Sequence, residues 1–146
     1  MSDLSVPIQI LDHGIEAPAY AHEGDAGLDL RSTIDVVVEP HARALIPAGF
    51  ALAIPNGYAG FVLPRSGLAS KHGLTVANAP GLIDSGYRGE VKVAVVNLDA
   101  SKAVAISRGD RIAQLVILQT PSVTLAPCES LDASERGAGG FGSTGH

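Results

Sequence analysis

Short apolar runs, each closed by a turn residue, leave this chain few ways to fold. Seventeen Gly and nine Pro are spread along its 146 residues, and Val, Ile, Leu and Ala fill the intervals between them. Runs this short, rich in β-branched residues, fit strands better than helices. Strands are expected near Ile8–Leu11, Leu28–Arg31, Asp35–Val38, Ala42–Ile46, Phe50–Ile54, Gly60–Leu63, Leu74–Val76, Val91–Asn97, Val104–Ile106 and Ile112–Leu118. No longer window keeps a helical stripe, and strands without alternating helices point to an all-β sandwich or barrel. One short helix is expected at Ser66–Lys71, with Ser66 as its N-cap and Gly73 as its stop.

An apolar content of 46% is enough for one real core at this length. Aromatic residues make up only 4% and Trp is absent, so the core must be aliphatic. From Ala126 onward the character changes. The β domain is expected over 1–126 and a flexible Gly-rich C-terminal arm over 127–146, because a small, polar stretch cannot build a core. Arg136 and Phe141 stand out within that arm.

The net charge of −5 argues against a general polynucleotide binder, though a few placed arginines and a metal can still hold a nucleotide. The lone Cys128 has no internal partner, Met1–Leu11 has no signal-peptide pattern, and no apolar run is long enough to span a membrane. A cytoplasmic setting is expected.

Three attractive matches fail on context. Gly137-Ala138-Gly139-Gly140-Phe141-Gly142 satisfies the dinucleotide-binding spacing, but that motif needs a strand before it and a helix after it. Arg108-Gly109-Asp110 matches an adhesion tripeptide, yet its place suggests a turn into the strand that follows. His13, His22, His41, His72 and His146 have no metal-ligand spacing.

Four segments could carry chemistry, and each also has an ordinary structural reading. Pro64-Arg65-Ser66-Gly67 could offer amide donors and a guanidinium to phosphate oxygens, or simply cap a helix. Asn78 to Val91 reads as a long β-hairpin whose Asp84 is either a general base or a turn cap. Asp29, between Leu28 and Leu30, should face away from both, as a metal-proximal acid or a solvated carboxylate. Gln114 interrupts an apolar strand and needs a partner, from a ligand or from the backbone.

In order and spacing, Ala26–Ser32, Pro64–Leu74, Gly81–Val91, Arg108–Leu115 and Arg136–Gly145 resemble the five motifs of the trimeric dUTPase family. Leu28 departs from the Tyr often found in the first. The resemblance implies a jelly-roll-like, β-clip type of β domain assembled as a homotrimer with three shared active sites. One subunit would supply the first, second and fourth motifs, another the hairpin, and the third its arm. The implied reaction is hydrolysis of dUTP to dUMP and pyrophosphate with Mg²⁺, held mainly by the substrate's phosphates. Asp84 would be the base, Asp29 would orient metal-bound water or the substrate site, and Gln114, Arg65, Ser66 and Gly67 would bind phosphate oxygens. Asn78, Leu82 and Tyr87 would read the nucleoside, and Lys92 belongs to the implied substrate-binding set. Phe141 would stack on uracil, while Arg136, Gly142, Ser143 and Thr144 close over the nucleotide. A dCTP deaminase is the nearest rival, but it needs a catalytic Glu that Arg65–Gly73 lacks. A catalytically silent nucleotide-binding module is the other.

Overall fold

The structure, a computed structural model, describes residues 3–145. Ten strands and one helix follow in order: β1 (Ile8–Ile10), β2 (Leu28–Arg31), β3 (Val36–Val38), β4 (Arg43–Leu52), β5 (Tyr58–Leu63), α1 (Ser66–His72), β6 (Leu74–Val76), β7 (Gly81–Ile83), β8 (Glu90–Asn97), β9 (Val104–Ile106) and β10 (Arg111–Gln119). They form two four-stranded sheets, β1-β4-β8-β6 and β2-β10-β5-β7, with β3 and β9 as a separate pair. Every named pairing is antiparallel. The expected all-β sandwich is what the chain builds. No helix among the described residues is long and apolar enough to cross a membrane.

One core, aliphatic apart from Phe50, lies between the sheets. Leu30, Val62, Ile83 and Leu115 reach it from one side, and Ile46, Val76, Val93 and Val95 from the other. Strand β8 shows the logic: Val91, Val93 and Val95 are buried while Lys92 points out, as a period of two requires. Burying each such side chain contributes about 1.5–3 kcal/mol. The buried polar side chains are satisfied. Asn97 donates to the carbonyls of Val38 and Lys102 and accepts from the Asp99 amide, and Ser32 bonds both backbone groups of Ile34.

Several expectations need correction. The strands expected at Ala42–Ile46 and Phe50–Ile54 merge into one, β4 (Arg43–Leu52), whose pairing with β8 slips between Pro47 and Ala51. Gly49 sits in that slip at φ 82°, a conformation suited to glycine. Pro47 and Gly49 look like strand breakers, but they make a bulge instead. Asp35 lies before β3 rather than in it. Helix α1 begins with Arg65, not Ser66, at its N-cap and has no side-chain cap bond. Gly73 does stop it, at φ 68°.

The hairpin forms, with β6 and β8 as its arms, paired from Leu74↔Asn97 to Val76↔Val95. Its wide tip contains β7, a strand not anticipated, which pairs with β5 of the opposite sheet through Gly60↔Ile83 and Val62↔Gly81. A residue run as short as Gly81-Leu82-Ile83 has no period to read; long-range pairing makes it a strand.

Candidate active site

Strands β2 and β10 run side by side, and Gln114 lies directly across from Asp29. Both side chains leave the core face together. Asp29 faces opposite Leu30, which is fully buried, as the alternation predicts. With Arg65, Ser66 and Gly67 from the start of α1 they line a cleft of about 490 Å³, and Arg111, His22 and Asp25 complete its rim. Five sequence-predicted residues therefore meet in one place.

Glycines shape this cleft in two ways. A Cβ on Gly27 would lie 2.4 Å from Gln114 Oε1 and 3.1 Å from its Cβ, so only glycine leaves the amide its place. A Cβ on Gly67 would meet nothing within 4 Å. Glycine inside a helix costs about 1 kcal/mol relative to alanine, and no protein neighbour requires it here. The open volume faces the cleft, where a ligand can use it. Gln114 finds its partner in the backbone, where Nε2 donates to Pro64 O at 3.0 Å, and its side chain also lines the cleft.

The arginines of the cleft are loosely tied. Arg65 Nε lies 3.8 Å from Asp29 Oδ1, and Arg111 Nη1 lies 3.3 Å from Asp29 Oδ2. Arg65 Nη1 also donates to the Arg111 carbonyl at 3.4 Å. Guanidiniums held this way keep most of their donors for an incoming anion.

Asp84 is elsewhere. It follows β7, where Ile83 is buried while Leu82 and Asp84 face outward. Leu82, Asp84, Tyr87 and Lys92 line a second cleft of about 310 Å³, with Leu45 and Glu90 opposite. Tyr87 Oη donates to Glu90 O at 2.9 Å, which fixes its ring across the tip. A Cβ on Gly89 would stand 2.5 Å from that oxygen, so this glycine makes room for the ring. Asn78 is exposed and its amide packs over Gly81, where a Cβ would meet it at 3.5 Å.

The arm is separate again. Arg136 Nε donates to Gly139 O at 2.7 Å, and turns close from Gly139 N to Arg136 O, Ser143 N to Gly140 O and Gly145 N to Gly142 O. Phe141 is wholly exposed at φ 53°, and Gly142, Ser143 and Thr144 are exposed beside it. None of these residues lines either cleft. His146, part of the expected arm, lies outside the described residues.

A further cleft of about 540 Å³ is lined mainly by apolar side chains such as Val6, Leu28 and Ile117, and holds none of the predicted site residues. The Arg108-Gly109-Asp110 turn is spent on structure. Arg108 makes a two-point contact with Asp12 at 2.5 and 2.8 Å, and Asp110 accepts from Ser107 N at 2.8 Å. That guanidinium, helped by the Gly14 amide, holds the Asp12 carboxyl down at about 2.

A β sandwich whose one cleft gathers arginines, a helix start and a glutamine, and whose other presents an aspartate, is suited to chemistry on a phosphorylated substrate. Comparison with known proteins narrows this class. A family model described as dUTPase matches residues 13–145. A deoxyuridine 5'-triphosphate nucleotidohydrolase of Thermobifida fusca is 53% identical, covering 99% of this chain and 85% of its own. One from Bifidobacterium longum is 55% identical, covering 86% and 80%. Among solved structures, a variant of the Staphylococcus bacteriophage 80alpha dUTPase with dUpNHpp superposes at a TM-score of 0.88, with 31% identity, covering 97% of this chain and 99% of that one. A phage phi11 dUTPase variant, 28% identical at a TM-score of 0.81, covers 89% and 100% and is described as coordinating a structural Mg(II) ion. The chain belongs to the dUTPase family.

Proposed function

We propose that this chain hydrolyses dUTP to dUMP and pyrophosphate, supplying dUMP and keeping uracil out of DNA. The observation that carries the reading is the near full-length match to dUTP nucleotidohydrolases, in a chain that keeps both clefts. The site is composite. The Asp29–Arg65–Gln114 cleft takes the phosphates, the Asp84 cleft of another subunit takes the nucleoside, and the arm of a third closes over both. Three features support a homotrimer: the clefts are distinct, the arm touches neither, and Leu118, Val123 and Leu125 are left exposed. On this reading residues 1–126 are the catalytic domain and 127–146 a mobile arm.

Among the described residues no three His, Cys, Asp or Glu side chains gather as a metal cage. The carboxylates at the first cleft are Asp29, shared by two arginines, and Asp25. That donor set suits a Mg²⁺ ligated mostly by phosphate oxygens and water, with Asp29 orienting its surroundings. When bound, Mg²⁺ supplies charge neutralisation on the phosphates.

The chain's own groups do the rest. Asp84 takes a proton from a water aimed at the α-phosphorus. The water oxygen bonds to that phosphorus, the bond to the bridging oxygen breaks, and pyrophosphate leaves. Arg65, Gln114, Ser66 and Gly67 bind the phosphate oxygens where charge builds. Backbone groups near Leu82 and the Asn78 amide read the uracil edge, and cytosine would leave them unpaired. The tied ring of Tyr87 excludes a ribose 2′-OH, Lys92 adds a cation at the second cleft, and Phe141 stacks on the base. Arg136, Gly142, Ser143 and Thr144 complete the closure. A cytoplasmic setting fits the single, exposed Cys128.

The test is chromatographic product analysis after incubation with dUTP, dCTP, dTTP or UTP, with Mg²⁺ or EDTA. Mg²⁺-dependent dUMP and pyrophosphate from dUTP alone is the expected result. No turnover would leave a nucleotide-binding module, and dUTP formed from dCTP would make the protein a deaminase.

A further inference from the structure

Residues three apart on a regular strand point to opposite faces. Arg111 and Gln114 are three apart on β10, yet both line the same cleft. The cause is a slip in the β2–β10 register. Arg111 pairs with Arg31, but Ala113 pairs with Leu30 and Gln114 with Asp29, so one extra residue sits on β10 between them. Burial records the same slip: Ile112 and Ala113 are consecutive and both face the core, at 3% and 0% exposure, which turns Arg111 and Gln114 outward together. Bulges of this kind re-aim side chains next to active sites.

The bulge carries Arg111 to Asp29. One carboxylate stands between two guanidiniums, with Oδ1 toward Arg65 and Oδ2 toward Arg111. Arg31, on the same face, already has its own partner in Glu16 at 2.7 Å. Among the described residues, the contact with Asp29 is the one side-chain hydrogen bond that Arg111 donates. Its fork is otherwise unengaged at the mouth of the cleft, beside Ser66 and Gly67.

We infer that Arg111 is a further phosphate-binding residue, brought into the cleft by the β10 bulge, and that Asp29 is a positioning residue holding Arg111 and Arg65 aimed at one polyphosphate. This rests on the dUTP reading. Two arginines set apart on one carboxylate match a ligand with several adjacent phosphates better than a monophosphate, because each fork can engage a different phosphoryl group.

The test is calorimetric binding, with Mg²⁺, of the non-hydrolysable analogue dUpNHpp and of dUMP to the wild-type protein, Arg111→Ala and Arg111→Lys. Wild-type protein that fails to bind dUpNHpp overturns the dUTP reading and this inference with it. Given wild-type binding, Arg111→Ala should weaken dUpNHpp by about 10–100-fold and dUMP by less than about threefold, the size expected for lost charge-assisted hydrogen bonds. Arg111→Lys should lie between, keeping charge without the fork. Unchanged dUpNHpp affinity in Arg111→Ala, or equal losses for both ligands, would overturn the role of Arg111 while leaving the dUTP reading intact. Asp29→Asn supplies a second readout. Positioning predicts that it and Arg111→Ala together weaken dUpNHpp less than the product of their separate effects, whereas simple multiplication of the two losses contradicts it.

Discussion

Two arginine–aspartate clusters on this molecule use the same chemistry to opposite ends. Arg108 commits three of its five guanidinium donors to the fold: two bonds to Asp12 at 2.5 and 2.8 Å and one to the Thr33 carbonyl at 2.7 Å. Its own amide is anchored by Asp35 at 2.7 Å, so the cluster fastens the β9–β10 turn to the segment after β1 and to the β2–β3 loop. Around Asp29 the distances are 3.3 and 3.8 Å, and two guanidiniums share one carboxylate. An arginine that has met its partners holds a fold together. One kept short of partners next to an open cleft can still bind something else.

Arg65→Ala should lower kcat/KM by about 10²–10³-fold, the usual loss for one donor aimed at developing charge, and leave the unfolding midpoint nearly unmoved. Arg108→Ala should do the reverse, keeping kcat/KM per folded molecule and lowering Tm by about 2–4 °C. Matched losses of activity in the two variants, read by steady-state kinetics beside thermal melts, would erase the distinction.

A smaller effect sharpens the functional side. Gly27→Ala should displace the Gln114 amide from Pro64 and cost about tenfold in kcat, the order expected from misplacing a positioning group slightly. Near-unchanged kcat would mean that Gln114 tolerates the shift and does not position anything.

The smallest effect is in acid. The folded Asp12 carboxyl titrates at about 2, below its ordinary value of 3.8, chiefly because Arg108 bonds to it. A depressed carboxyl stabilises the fold above the unfolded value and loses that contribution as pH falls through the folded one. Melts of wild-type protein and Arg108→Ala should therefore differ by a constant amount above about pH 4 and converge toward pH 2. A difference that persists undiminished at pH 2 would show that Arg108 stabilises by packing alone.

Much of this was legible in the residues, for identifiable reasons. Alternation in Val91–Asn97 gave the face of β8 directly, and Asp29 between two leucines revealed its own direction. What escaped depends on partners far along the chain. Strand β7 exists because Val62 and Gly60 of β5 pair with it. Pro47 and Gly49 read as a break because a bulge and a turn use the same residues. Regular spacing sends Arg111 away from Gln114, and the adjacent apolar pair Ile112-Ala113 is the signal in the sequence that a bulge brings them together. The resemblance implies motifs divided among subunits, and within one chain their residues lie in two clefts and an arm.

Subunit complementation reads this division between clefts. Arg65→Ala and Asp84→Asn should each be nearly inactive alone, because each removes one half of every site. Denatured together and refolded as mixed assemblies, they should recover activity in about one site in four, since on the proposed reading a working site takes Arg65 from one chain and Asp84 from another. Recovery toward that level, with none when the separately refolded variants are simply combined and assayed at once, is the predicted result. Mixed assemblies that stay as inactive as their parents would place Arg65 and Asp84 of the same chain in one site and contradict the account.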